Sequence, residues 1–459
     1  MSERLRSVGL DVGTTTTQMI VSELKVENRA SGFAVPEMEI TGRQILYRGE
    51  VRFTPLKEET LVDGAALRRI VEEEYKKAGL RREDVDTGAI IITGETSRKE
   101  NARAVLNALS ELSGEFVVAT AGPHLESVLA AKGAGAVDYS RQTGKTVLHM
   151  DIGGGTSNLA LIKEGRILRT GCLNVGGRLL KLDDNGRVTY CSPVLKNLCP
   201  VKVGDCPTEP ELTALTGLLV QALEMAAGLR PKGALLEQLT TRETGESWLP
   251  PEPGVVVSFS GGVADCIEQN HDALAFGDIG PALGREIRKS LLCSGEYMLG
   301  RETIRATVIG AGCHSAQLSG STVFYRGVKL PVKNLPVAVF TGQEQASGEL
   351  SALIAQRIGQ KDSEDVVLAL PGYPAANYTQ VTALAEAIVQ GTAGKRIYVC
   401  LEADMAKALG HAMCLRLGEG VPCLCIDRVR LQEESFLDVG EPVGPCLPVV
   451  IKTLVLSRA

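Results

Sequence analysis

The stretch Gly9-Leu10-Asp11-Val12-Gly13-Thr14-Thr15-Thr16-Thr17 decides how the chain is read, because His149-Met150-Asp151-Ile152-Gly153-Gly154-Gly155-Thr156-Ser157-Asn158 repeats its plan 140 residues later. Each is a short apolar strand ending in an aspartate, then a small-residue turn, hydroxyls and a returning strand. Glycines in such a turn let backbone N–H groups approach an anion closely, and threonine hydroxyls add donors. An aspartate beside phosphate oxygens repels them, so a cation or water must intervene; a Mg²⁺ that keeps most of its waters suits the gap. Taken singly, either turn reads equally well as a tight β-turn closed by an Asx-type bond. Two copies, each opening a matching three-strand pattern, point instead to a duplicated unit whose loops close on a triphosphate from opposite sides. On this reading Asp11 and Asp151 are the catalytic carboxylates and hold Mg²⁺ through water. Gly13, Thr14, Thr15, Thr16, Gly153, Gly154, Gly155 and Thr156 then surround the phosphates of ATP or ADP.

Working outward, the first third predicts β-β-β-α-β-α. Its strands are Val8 to Val12, Gln18 to Val26 and Gln44 to Phe53, then a helix capped by Asp63 with Leu67, Ile70, Val71, Tyr75 and Ala78 on one face, stopped by Gly79. A buried strand Ala89 to Thr93, a helix through Val105 and Leu109, a strand Phe116 to Thr120 and a helix from Pro123 complete it. The second third starts again with Val147 to Met150, Leu159 to Lys163 and a strand at Ile167, followed by helices around Glu211 to Ala227 and Pro281 to Leu292. The segment Leu182 to Pro210 reads as irregular surface structure. Strands and helices alternate again from Leu335. The expected divisions are 1–145, 146–334 and a C-terminal α/β segment 335–459. A third glycine turn, Ser260-Gly261-Gly262, follows the strand Val255 to Phe259 and precedes a helix, a backbone platform suited to adenosine. Glycine is missing two residues before Ser260, which excludes a serine-nucleophile elbow. The P-loop and Rossmann glycine patterns are absent too.

Across 459 residues, 44% are apolar and 23% charged, as in globular proteins, and 4% aromatic with a net charge of -6 argues against nucleic-acid binding. No apolar run approaches a membrane span, and the start MSERLRSVGLDVG moves directly into a strand, so a cytoplasmic protein without membrane insertion is expected. The 12 cysteines are scattered and the 5 histidines ungrouped, which favours buried reduced thiols over a metal site. Cys423 and Cys425 are expected on one face of a strand.

The two Asp-Gly-Thr hairpins with Gly261-Gly262 resemble the phosphate-1, phosphate-2 and adenosine motifs of the actin, Hsp70 and sugar-kinase superfamily. Thr93-Gly94-Glu95-Thr96 and Val308-Ile309-Gly310-Ala311-Gly312 resemble its two connecting motifs. The fold implied is α/β, two duplicated actin-like (ribonuclease H-like) ATPase domains with an additional C-terminal segment. The whole chain further resembles the reactivating factors of ethanolamine ammonia-lyase. That resemblance rests on the hairpins, Phe259-Ser260-Gly261-Gly262-Val263, Gly277-Asp278-Ile279-Gly280, Val439-Gly440-Glu441-Pro442 and Ile451-Lys452-Thr453-Leu454. It implies a chaperone-like, weak Mg²⁺-dependent ATPase that releases damaged cobalamin from the lyase so that intact adenosylcobalamin binds. It also implies a place in ethanolamine catabolism, in some cases beside a bacterial microcompartment. One departure is expected to slow hydrolysis. The glutamate that positions water in the Hsp70 branch is matched here by Gly122, with Glu126 the nearest carboxylate.

Other residues take ordinary readings: His124 exposed in a first helical turn, Asp404 a helix cap, Leu437 to Gly440 a turn, Arg81-Arg82 a solvated loop. A small-molecule kinase and a filament-forming actin-like protein are the alternative functions, and a homo-oligomer is left open.

Overall fold

The computed structural model describes residues 2–453 apart from 14–15, 29–37, 59–60, 94–116, 121–122, 242–247, 253, 273, 301, 315, 321, 362, 364, 394–395, 419, 432, 434 and 443. Two sheets carry one topology. In the first the order is Met38–Arg48, Thr16–Asn28, Ser2–Val12, Thr87–Ile92, Val117–Thr120; in the second it is Arg166–Leu173, Ser157–Lys163, Val147–Ile152, Val256–Ser260, Tyr297–Leu299. Both have an antiparallel hairpin at the start and parallel neighbours beyond the first strand. Register repeats as well: Asp11 lies opposite Gln18 in one hairpin, and Asp151 opposite Asn158 in the other. The duplicated actin-like α/β architecture is therefore present.

Burial explains the composition of the strands. Ile90, Ile91 and Ile92 sit in a central parallel strand covered on both faces, so a continuous apolar run is required there rather than alternation. Ile90 and Ile92 face the helix Gly64–Lys77, while Ala89 and Ile91 face Leu129, Ala311 and Val450. That helix starts where Asp63 accepts hydrogen bonds from the Ala65 and Ala66 N–H groups, both at 3.0 Å.

Two helices link the units. Pro123–Gly133 packs on strands of the second sheet, and Ala306–His314 packs on strands of the first, so each unit's connecting helix covers the other's sheet. They cross at backbone contact. A Cβ on Gly133 would lie 1.8 Å from the Ala306 carbonyl oxygen, one on Gly310 2.1 Å from that of Leu129, and one on Gly9 2.5 Å from that of Val308. The Ser7 hydroxyl also donates to the Gly312 carbonyl.

The third sheet runs Ala316–Leu318, Pro448–Thr453, Ser435–Val439, Val332–Val339, Val367–Leu370, Ile397–Leu401, Cys423–Ile426, Phe324–Arg326. It takes strands from residue 316 onward, and Val450 from its last strand enters the core beside Ile91, so this unit shares packing with the first. Cys423 and Cys425 do share a face, with sulfurs 4.0 Å apart.

Three local expectations are corrected. Asp404 does not cap the helix Ala406–Cys414; it accepts from Arg428 at 2.8 Å and Thr322 at 2.9 Å, and the Ala406 N–H goes to buried Asp427 at 2.9 Å. Leu437 to Val439 is strand, because it finds partners on both sides in Val332–Val339 and Pro448–Thr453. Within Leu182 to Pro210 a second short hairpin forms, Leu180–Leu182 with Val188–Cys191. The expected helix through Val105 and Leu109 lies outside the described residues. His124 is exposed as expected, its Nδ1 at 2.6 Å from the Thr170 hydroxyl.

The glycine crossing is testable against an unencumbered helical glycine. Gly310→Ala should lower unfolding free energy by roughly 1–3 kcal/mol in urea titrations. Gly217→Ala, in the helix Glu209–Ala226 with nothing within 4 Å, should raise it by roughly 0.5–1 kcal/mol.

Candidate functional site

Each aspartate sits at the last turn of a central strand and is held by a hydroxyl from the parallel strand beside it. Thr93 Oγ1 donates to Asp11 Oδ1 at 2.9 Å, and Ser260 Oγ donates to Asp151 Oδ1 at 2.6 Å. Thr307, in the crossing helix, adds a long contact to Asp151 Oδ2 at 3.4 Å. Behind Ser260 a relay runs inward. Ser260 spends its proton on Asp151, so it accepts from His149 Nε2 at 2.9 Å, which leaves His149 Nδ1 to accept the Ser258 hydroxyl at 3.0 Å. The hydrogen bonds thus select one neutral tautomer.

The two hairpins share one electrostatic region. Burial pushes the Asp11 carboxyl up to about 7; the neighbouring carboxylates of Glu126 and Asp151 push the same way, and the Thr93 hydrogen bond opposes them. Asp151 is also raised by burial, opposed by Ser260 and Thr307. Glu126 is buried on the crossing helix Pro123–Gly133 and accepts from Asn158 Nδ2 at 2.7 Å. Charges on two other elements, Asp151 on its strand and Glu126 on the crossing helix, therefore act on Asp11.

The turns are built alike. The Gly13 N–H donates to the Thr16 carbonyl at 2.9 Å, and the Gly153 N–H donates to that of Thr156 at 2.9 Å. The Thr54 hydroxyl backs the first turn, donating to the Gly13 carbonyl at 2.8 Å and meeting the Thr17 hydroxyl at 3.1 Å. The second is backed by Gly177 and Arg178, whose N–H groups donate to the carbonyls of Gly153 at 3.0 Å and Gly154 at 2.6 Å. Among the described residues the N–H groups of Gly154 and Gly155 take no protein acceptor, and Gly155 is exposed. Gly261 closes over the end of the Asp151 strand. Its φ is +86° and a Cβ would lie 2.3 Å from the Ile152 carbonyl oxygen, so glycine is required. The helix after Gly262 is a single turn, Asp265–Glu268, so the junction presents exposed backbone rather than a long helix terminus. Thr14, Thr15, Gly94, Glu95, Thr96 and Gly122 lie outside the described residues.

Two buried carboxamides indicate how a cation would fit. Gln18 and Asn158 occupy matching positions opposite the two aspartates. Their nitrogens donate to the Ile304 carbonyl at 3.1 Å and to Glu126, and their oxygens find no donor among the described residues. Orphaned acceptors beside crowded carboxylates suit a hydrated cation, whose waters donate to both. Among the described residues no group of three or more His, Cys, Asp or Glu side chains is placed to hold a metal directly.

Sequence reading did not identify Thr54, His149, Thr307, Asn158 or Arg178. A signal existed for Asn158, since it and Gln18 each stand seven residues after an aspartate in the repeat. The other four are joined to the site only by packing.

A model of the ethanolamine utilisation protein EutA family matches residues 3–457. The chain belongs to this family. It is 38% identical to the ethanolamine ammonia-lyase reactivase EutA of Escherichia coli (strain K12), over 99% of both chains. It is 37% identical to that of Salmonella typhimurium (strain LT2), again over 99% of both. Among solved structures, a Ppx/GppA family member from Aquifex aeolicus is similar over 67% of this EutA-family chain and 97% of its own, at 15% identity and a TM-score of 0.39, too slight to bear on function. Among the described residues no helix is long and apolar enough to cross a membrane.

The relay carries a pH signature. Burial presses His149 from 6.5 down to about 3, so between those values the folded protein binds fewer protons than the unfolded chain. This contribution is complete above pH 6.5 and is lost as pH falls toward 3, by up to roughly 5 kcal/mol for this group. Urea unfolding from pH 7 to 4 should show His149→Gln flattening the acid-side decline.

Proposed function

We propose that this chain is a nucleotide-driven reactivating factor for ethanolamine ammonia-lyase. It binds ATP with Mg²⁺ between the two hairpins, hydrolyses it slowly, and uses the change in nucleotide to release damaged cobalamin so that adenosylcobalamin can replace it. The observation that carries the reading is that Asp11 and Asp151 stand at matching registers of duplicated sheets, opposite the buried carboxamides Gln18 and Asn158, with Asp151 among the charges that raise Asp11. Membership of the EutA family supplies the partner.

In this mechanism the free N–H groups of Gly154 and Gly155, with Gly13, Thr14, Thr15 and Thr16 from the other side, take up phosphate oxygens, while Gly153 and Thr156 hold the second turn closed. Gly261 and Gly262 present backbone toward the nucleoside. Asp11 and Asp151 orient water around the nucleotide; a magnesium ion held there would neutralise charge on the phosphate oxygens. Glu126, fixed by Asn158, is the carboxylate that aligns the attacking water in place of one at Gly122. Its position on the crossing helix links that water to the relative placement of the units. ATP and ADP favour different openings only if they bind those openings with different free energies. The setting proposed is cytoplasmic, beside a microcompartment where one is made.

The deciding experiment pairs hydrolysis with recovery of cobalamin-inactivated lyase. Asp11→Asn and Asp151→Asn should each reduce Mg²⁺-dependent hydrolysis by about 100-fold or more and abolish ATP-stimulated recovery. Wild-type protein that gives no heat of ATP binding in a calorimeter, or that restores the lyase equally without nucleotide, would overturn the proposal. Phosphate transfer to a small alcohol or acid far above the hydrolysis rate would replace it with a kinase.

A further inference from the structure

The proposed nucleotide site has a charge problem. Asp11, Asp151 and Glu126 all press negative charge on one region, and a polyphosphate brings more. A divalent cation offsets only part of that, so a protein cation is needed close to the phosphates.

Arg178 is placed to be that cation. Its backbone N–H donates to the Gly154 carbonyl at 2.6 Å, so the residue is stitched to the second hairpin turn. Its side chain then runs along Gly154. The Cδ, Cβ and Cγ atoms lie 3.3, 3.4 and 3.5 Å from where a Cβ on that glycine would stand, so the arm runs in close contact with the turn. At the far end the Arg178 Nε–H donates to Asp278 Oδ2 at 3.1 Å. Asp278 is itself fixed, its Oδ1 accepting the Gly280 N–H at 2.8 Å, and the next residue, Ile279, donates to the Gly177 carbonyl at 2.9 Å. This assigns work to two features that the phosphate hairpins alone do not explain, Gly176-Gly177-Arg178 and Gly277-Asp278-Ile279-Gly280.

One carboxylate on Nε leaves the two outer nitrogens without a described protein partner, on a side chain about a quarter exposed (27%) whose stem lies along the turn that carries the free N–H groups of Gly154 and Gly155. With the ion pair made through Nε, the outer N–H donors remain available to a further acceptor, and guanidinium suits phosphate recognition through paired donors. Lysine could not do the same, because it has no planar fork to anchor on one side while presenting donors on another.

We infer that Arg178 contacts the phosphate groups of the bound nucleotide, with Asp278 as its positioning residue, which makes the site selective for di- and triphosphates over the bare nucleoside. This rests on the reading that a nucleotide occupies the hairpin site. Calorimetry on the full chain with Mg²⁺, using ATP, ADP and adenosine as probes, tests it. Arg178→Ala should weaken ATP and ADP binding by roughly 10- to 100-fold and leave adenosine within about twofold. Arg178→Lys should fall between, retaining charge without the fork. Asp278→Asn should slow hydrolysis more than it weakens ATP binding, because the guanidinium stays present but loses its aim. If wild-type protein binds ATP and Arg178→Ala binds it equally well, this inference fails while the nucleotide site stands. Equal weakening of ATP and adenosine, with a lowered melting temperature, would make the pair structural and overturn it as well. Wild-type protein that binds no nucleotide ends both readings, so the two failures are told apart by the wild-type titration.

Discussion

Backbone touching backbone at the crossing of Pro123–Gly133 and Ala306–His314 is the constraint on which the rest of the molecule depends. Side chains at Gly133, Gly310 or Gly9 would force the connecting helices and the first central strand apart, because the atoms they would meet are carbonyl oxygens that cannot turn away. With those side chains absent, each helix lies across the other unit's sheet. The electrostatic coupling of Asp11 to Asp151 and Glu126 follows from that approach. So does the position of Glu126, which rides on one of the crossing helices while bonding to a hairpin of the second unit.

Burying carboxylates together is unfavourable unless something compensates them. Part of the compensation is internal. Thr93 and Ser260 each give a hydroxyl proton to one aspartate, and Ser260 can do so because a neutral His149 supplies its replacement hydrogen bond. Such hydrogen bonds favour the charged form but do not outweigh burial, since both aspartates remain raised. A site in that condition gains most when a cation or a set of donors arrives. The matching orphaned oxygens of Gln18 and Asn158 express the same incompleteness in neutral groups.

The C-terminal unit is more than an appendage. Its last strand contributes Val450 to the core that contains Ile91 and Leu129, while its own parallel strands pack the helices Leu350–Gly359, Tyr378–Gly391 and Ala406–Cys414 on one face. The unit is thereby joined to the first sheet through shared apolar packing.

Sequence alone determined what depends on short stretches of chain. The paired Asp-Gly-Thr turns, the consecutive isoleucines of a doubly covered strand and the Asp63 cap are local, since the residues that make each structure are neighbours along the backbone. The duplication and the matching positions of Asp11 and Asp151 within it were legible for that reason, and the family resemblance added the C-terminal motifs. Tertiary structure decided the partners of buried polar groups. Asp427 rather than Asp404 reaches the helix at Ala406, because the buried carboxylate just past the end of the adjacent strand accepts from the Ala406 N–H. Asp438 lies in a strand, because neighbours far away in the chain lie on both sides of it. His149 with Ser260, and Arg178 with Asp278, meet across about 100 residues. Hydrogen bonding is directional and short in range, so which donor meets which acceptor is settled only once strand register and helix crossing have brought distant backbone together.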